Sequence, residues 1–200
     1  MKKLLILFLF PLSLFSQNVF VKTSIFEVIY SEEYEQPIEL SYTVECPTGE
    51  ASRSGASWVL HEGIKTSDIE DYKNNVWDRG HLAPAADFSC DKETIRKTFT
   101  YLNCALQHEG LNRGPWKELE RFERNLAKYF EVKVTVKVDF TDEPERVPGG
   151  AAIPRGFFKT IEFQDNVWKF YFPNINVAGE DWFSFAIAQS FNAYLASTVH

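Results

Sequence analysis

A histidine and an asparagine about thirty positions apart, His81 and Asn112, stand in stretches whose residue types could do chemistry together. The first stretch is Asp78-Arg79-Gly80-His81-Leu82-Ala83-Pro84. A second runs from Thr98-Phe99 through Asn103 to Gln107. The third is Leu111-Asn112-Arg113-Gly114-Pro115-Trp116-Lys117-Glu118-Leu119-Glu120, with Arg124 one helical turn later. An imidazole with a pKa near ~6.5 is a suitable general base at neutral pH if it is kept neutral. Arg79 offers a planar fork to a phosphate, and Gly80 permits close backbone approach. The amide oxygen of Asn112 suits a hard cation such as Mg²⁺, which keeps most of its waters and needs few protein ligands. Glu120 could hold a metal-bound water, and Arg124 could meet charge developing on a phosphate. Each residue also has a bland role. Asn112 could cap a helix, Arg79 could pair with Asp78, and Glu120–Arg124 could be a surface ion pair worth a few tenths of a kcal/mol. Their order and spacing favour a joint site for hydrolysis of a phosphodiester.

The elements that must position these residues can be read along the chain. Asn18–Tyr30 is rich in β-branched and aromatic residues and reads as a strand, followed by an acidic turn at 31–35 and a second strand over 36–44. Trp58-Val59-Leu60 reads as a short strand, and 64–75 as irregular. A loop is expected over 82–88 and a short helix over 92–97, capped by Ser89 or Asp91. Phe99–Leu102 reads as a strand. Pro115 suits the first turn of a helix on which Leu119, Phe122, Leu126 and Phe130 share a face. If that helix begins near Asn112, then Asn112, Trp116, Glu120 and Arg124 also share a face. Alternation predicts strands over 131–140, 157–162 and 167–172, and a helix over Asp181–Thr198. The fold class is α+β, a mostly antiparallel sheet flanked by helices.

Composition bounds what surrounds the site. The chain has 200 residues and a formal net charge of −7. Met1-Lys2-Lys3, an apolar run from Leu4 to Phe15 and Ser16-Gln17 have the pattern of a secretory signal peptide over residues 1–16. The expectation is therefore a secreted or periplasmic protein with one domain over 17–200. No stretch reaches the roughly 20 apolar residues of a membrane span. An acidic chain is a poor general binder of nucleic acid. Residues 79–128, however, hold 9 Lys or Arg against 7 Asp or Glu, so a polyanion would be met locally. Cys46, Cys90 and Cys104 sit in an export context that permits disulfides. Cys90–Cys104 is the favoured pairing because the two flank one segment, with three buried thiols as the alternative. A homodimer is compatible with the sequence but not derivable from it.

The three stretches resemble the DNA/RNA non-specific endonuclease family, the endonuclease G-like branch of the ββα-metal nucleases. Asp78–Pro84 matches that family's D-R-G-H-L-A-P. Thr98, Phe99, Asn103 and Gln107 match its second motif, although Leu106 stands where a Pro is usual. Leu111, Asn112, Gly114, Trp116, Leu119, Glu120 and Arg124 match its third. Ile153–Lys159 and Phe172-Pro173-Asn174 are similar to its V-P-x-x-F-W-K strand and later P-N. The resemblance implies a ββα-metal core that cleaves DNA and RNA of either strandedness. It implies His81 as general base, Asn112 as ligand to Mg²⁺ (Mn²⁺ as an alternative), and Glu120 ordering metal-bound water. Arg124 would stabilise phosphate charge, Asn103 would support the metal site, and Arg79 would position groups in the cleft. Arg53 is the candidate for an upstream arginine, and Arg53, Arg79 and Arg113 are the expected substrate contacts. Three competing readings are a nuclease fold that binds nucleic acid without turnover, a zinc site from Cys90, Cys104 and His108, and a hydrolase using Ser89. The zinc spacing fits no familiar pattern, and Ser89 lacks the glycines of a nucleophile elbow.

Overall fold

A computed structural model describes residues 18–187. The leader expected over residues 1–16 and the C-terminal part of the expected last helix lie outside the described residues. Six strands form one antiparallel sheet: β1 (Asn18–Lys22), β2 (Phe26–Ser31), β3 (Gln36–Thr43), β6 (Val132–Asp139), β7 (Gly156–Phe163) and β8 (Asn166–Pro173), in the order β1-β2-β3-β6-β7-β8. A separate antiparallel ribbon pairs β4 (Trp77–His81) with β5 (Cys104–His108). The helices are α1 (Lys92–Thr98), the single turn α2 (Glu109–Leu111) and α3 (Lys117–Ala127).

Period-two patterning decides which face of the large sheet is buried. In β6, Val132, Val134, Val136 and Val138 point inward while Lys133 and Lys137 face solvent. α3 lies over the inward face. Its Leu119 is fully buried, Phe122 stacks on Trp168 at 5.2 Å, and Trp116 just before it meets Phe157 and Phe172 edge-on at 5.5 and 5.4 Å. The ribbon is pinned to the sheet through polar side chains. Gln36 Oε1 accepts from the Leu106 N–H at 3.0 Å. The Asn174 amide accepts from the His108 N–H at 2.8 Å and donates to the carbonyls of Leu106 and Pro154 at 2.9 Å each.

Several expectations are corrected. The first expected strand is a hairpin, broken where Thr23 Oγ1 accepts from the backbone of Ile25 and Phe26. Phe99–Leu102 is not a strand: Thr100 caps a 3₁₀ turn at Tyr101–Asn103, and pairing starts at Cys104. Four of the five residues of β5 are buried, so it offered no alternation to read. Trp58–Leu60 contributes one parallel bridge, Val59 to Thr100. The described start of the last helix, Trp182–Phe185, is one 3₁₀ turn after which Ala186 is extended.

Candidate active site

His81 ends β4, with its ring half-buried between aromatic neighbours. Its centroid lies 4.6 Å from Trp58 and 4.9 Å from Phe99. Atom Nε2 is shut off from solvent and has no hydrogen-bond partner. Burial, with the charges of Arg53 and Arg79 nearby, pushes the imidazolium down to about 3, so the ring is neutral at pH 7. Arg79 places its guanidinium carbon 5.5 Å from the centre of the Trp58 ring instead of pairing with Asp78.

The loop after His81 is held by Asn103. Its Oδ1 accepts from the Ala83 N–H at 2.8 Å, and its Nδ2 donates to the carbonyls of Ala83 at 2.8 Å and Thr98 at 3.0 Å. The side chain is fully buried. Its amide is committed to backbone, so Asn103 holds the histidine loop in place and does not face reacting atoms. Gly80 also acts differently from expectation. A Cβ there would sit 2.3 Å from Gln107 Oε1, so the missing side chain admits the neighbouring strand and not a ligand.

At the other end of β4, Asp78 Oδ2 accepts from Asn112 Nδ2 at 2.8 Å. That bond fixes the amide and leaves Oδ1 as its uncommitted end. Asp78 also takes both arms of Arg113, at 2.8 and 2.7 Å, and Arg113 reaches Glu109 at 3.0 Å. Burial pushes the Asp78 carboxyl up, but the bonds from Arg113 and Asn112 outweigh it and hold it below its ordinary range. Arg113 is thus tied back by two carboxylates. Three residue steps along the strand take Asp78 to His81, roughly 10 Å at the usual rise.

Asn112 is not on the same regular helix as Glu120. Gly114 adopts φ −102° and ψ −120°, and Pro115 follows, so the chain kinks before α3 begins. The expected four-residue stripe starts at Trp116, and Asn112 enters from the bent segment ahead of it. Nor does Arg124 pair with Glu120. Its Nη1 donates to Asp87 Oδ1 at 2.9 Å, and Asp87 has no exposed side-chain surface.

Under Glu120 lies a charge cluster that sequence reading missed. Lys159 Nζ stands 2.8 Å from Glu123 Oε1, and neither side chain has any exposure. The angle is not that of a hydrogen bond, so the contact is an ion pair by distance alone. Tyr42 donates to Glu123 Oε2 at 3.0 Å, and Lys159 also sits 4.4 Å from the centre of the Trp116 ring. Burial, with Glu123 adding to it, pushes the Glu120 carboxyl up to about 7, although Lys159 and Arg124 pull the other way. Asp87 is raised by its own burial and then by Glu123 and Glu120. A signal for two of these residues was present. Lys159 falls at the same parity as the inward Phe157, Ile161 and Phe163, and Glu123 follows Leu119 by four.

The expected Cys90–Cys104 pairing is overturned. Cys46 and Cys90 form the disulfide, with Cα atoms 5.4 Å apart. The backbone explains the choice. Glu45 and Cys46 both donate to the Asp87 carbonyl, and Ala51 donates to Ser89, which brings the two segments together. Cys104 is inside β5 opposite His81, where its thiol donates to the Tyr72 hydroxyl, and burial pushes it up to about 12. With Cys90 taken, the zinc alternative has lost a ligand. The Ser89 hydroxyl is spent on the carbonyls of Gly49 and Ala86, and Asp91 caps α1.

A two-stranded ribbon ending in histidine, followed by a helix entered through an asparagine and packed on an antiparallel sheet, is the ββα-metal nuclease fold. A chain from the crystal structure of the EndoG/EndoGI complex superposes with a TM-score of 0.76 at 22% identity, covering 86% of this chain and 80% of that one. The family model for the DNA/RNA non-specific endonucleases matches residues 10–192, and the chain belongs to that family. Relatives include the mitochondrial nuclease of Saccharomyces cerevisiae, 35% identical over 56% of this chain and 37% of its own length. Bovine mitochondrial endonuclease G is 36% identical over 42% of this chain and 29% of its own. The aligned part thus spans about a third of each of these curated relatives.

Proposed function

We propose that the protein is an exported, metal-dependent endonuclease that hydrolyses phosphodiester bonds in DNA and RNA without sequence preference. The observation that carries this reading is the state of His81. It is a neutral imidazole with an unpartnered Nε2, on the strand whose other end orients Asn112, with Arg53 and Arg79 nearby. The His81 imidazole takes a proton from water as the water oxygen attacks phosphorus. The P–O3′ bond breaks and the departing oxygen takes a proton from solvent water, leaving a 5′-phosphate and a 3′-hydroxyl. Arg53 and Arg79 bring cationic charge to the substrate phosphate, and that anionic neighbour raises the basicity of His81 when it is needed. Arg124, braced by Asp87, opposes charge on the phosphorane oxygens.

Asn112 fits a hard divalent cation, Mg²⁺ or Mn²⁺. Its Nδ2 is committed to Asp78 and its oxygen is not, and such ions accept a single protein oxygen with waters completing the shell. No cluster of three or more His, Cys, Asp or Glu occurs among the described residues, so one amide with ordered waters is the arrangement the donor set suits. A bound ion would supply charge stabilisation at phosphorus and at the departing 3′-oxygen. Glu120 would orient water on its own side of the cleft.

Export rests on the residue pattern of positions 1–16, and no helix among the described residues is long and apolar enough to cross a membrane. The test compares purified protein with its His81→Ala variant on plasmid and on RNA. Cleavage should fall by at least about a hundredfold, the usual scale for losing a general base, while binding persists. Binding by the parent with no cleavage would instead favour a nuclease fold that only holds nucleic acid.

A further inference from the structure

Lys159 and Glu123 are hard to explain as a stability device. Removing two charges from water costs several kcal/mol per ion, and apolar residues of similar volume in their place are often neutral or stabilising. Here the pair has no exposure at all and does not reach good hydrogen-bond geometry. What the pair borders is the helix that carries Glu120. Lys159 lies on the Trp116 ring, one helical turn before Glu120, and Glu123 is one turn beyond Glu120 on the same helix. Tyr42 from β3 holds the second Glu123 oxygen, and Asp87 from the histidine loop holds Arg124.

We propose that Lys159 and Glu123 are positioning residues for the reaction, opposing charges on two elements that set the electrostatic environment of Glu120. The idea rests on reading Glu120 as a working carboxylate. The charged and titratable groups facing Glu120 are Glu123 and Arg124 on α3, Lys159 on β7, Asp87 on the loop after β4, and Tyr42 on β3. Of these, Lys159 and Arg124 favour the carboxylate and Glu123 opposes it, with Lys159 the largest neighbour effect. Removing the lysine and removing Glu123 therefore have opposite consequences. A purely structural role would make both variants worse in the same way.

The experiment uses Lys159→Met, Glu123→Gln and the double variant, with two readouts. The first is the titration of the Glu120 side-chain carboxyl carbon by NMR, which needs no turnover. The second is the acid limb of the kcat/KM profile on plasmid with Mg²⁺. Lys159→Met should move both upward by about one pH unit, a tenfold loss of rate at a fixed pH below the limb. Glu123→Gln should move both downward. The double variant should return them near the parent and melt no lower than it. If Lys159→Met does not fold, the other two variants carry the test. Shifts of the same sign for Lys159→Met and Glu123→Gln, an upward or absent shift in Glu123→Gln, or a double variant no better than Lys159→Met would overturn the proposal. An inactive parent would defeat the nuclease reading while the NMR titration still decided the role of Lys159 and Glu123.

Discussion

Replacing Glu120 with glutamine should stabilise the protein relative to the parent increasingly as pH rises from about 4.5 to 7, and fully above that. Burial, reinforced by Glu123, lifts this carboxyl from an ordinary 4.5 to about 7. At roughly 1.4 kcal/mol per pH unit, ionising it inside the fold opposes folding by up to about 3 kcal/mol. Partial exposure of the residue and screening reduce that to about 1–2 kcal/mol. The sign follows from the raised value. Below pH 4.5 the group is protonated in both states and its contribution to stability is fully present. Between 4.5 and 7 the unfolded chain ionises while the fold keeps its proton, so stability falls as pH rises, and above 7 the contribution is gone. Glutamine does not titrate. Urea unfolding of parent and variant at pH 4 and pH 8 should therefore show a gap between them that is about 1–2 kcal/mol more favourable to the variant at pH 8. Activity should drop at the same time, the usual cost of a site built from disfavoured charge. A variant less stable than the parent at pH 8, or a gap that ignores pH, would refute the reasoning.

Three further outcomes can be checked. Asn103→Leu should lower stability by about 3 kcal/mol in urea, because three buried backbone groups lose their partner; a cost below about 1 kcal/mol would mean that the loop holds itself. Cys46→Ala should cost about 2–4 kcal/mol, from the 44-residue separation that the disulfide closes, and an unchanged thermal midpoint would count against this pairing. The His81 ring, followed by proton–nitrogen NMR without substrate, should stay neutral down to about pH 5 and titrate below it; a transition near 6.5 would show that the aromatic enclosure is not dry.

Much of this arrangement was legible because it follows from local patterning. The alternating valines of β6, the apolar stripe of α3 and the Asp91 cap each depend on residues close in sequence. The candidate site residues were named from their type and order. What was missed depends on tertiary packing. β5 was hidden because burial on both faces removes the period-two signal. The kink at Gly114 was hidden because Pro115 also fits a regular helix start, so the single face drawn through Asn112 and Arg124 was too long. Arg124 met Asp87, and Asp78 met Arg113 and Asn112, because partners across 34 to 37 positions cannot be read from spacing. The cysteine pairing failed for the same reason: nearness along the chain between Cys90 and Cys104 says nothing once α1 and the next turn separate them. Leu106, where the family usually has proline, turned out to use its N–H on Gln36, a bond proline could not make.

In the proposed function, a neutral imidazole and a single amide ligand hydrolyse a phosphodiester with the help of one hard divalent ion. The most direct measurement is cleavage of a supercoiled plasmid and of an RNA by the purified protein, with Mg²⁺, then with excess chelator, then with Mg²⁺ restored. The expected result is cleavage of both polymers that stops with chelator and returns with the ion. Cleavage that continues undiminished in chelator would contradict it.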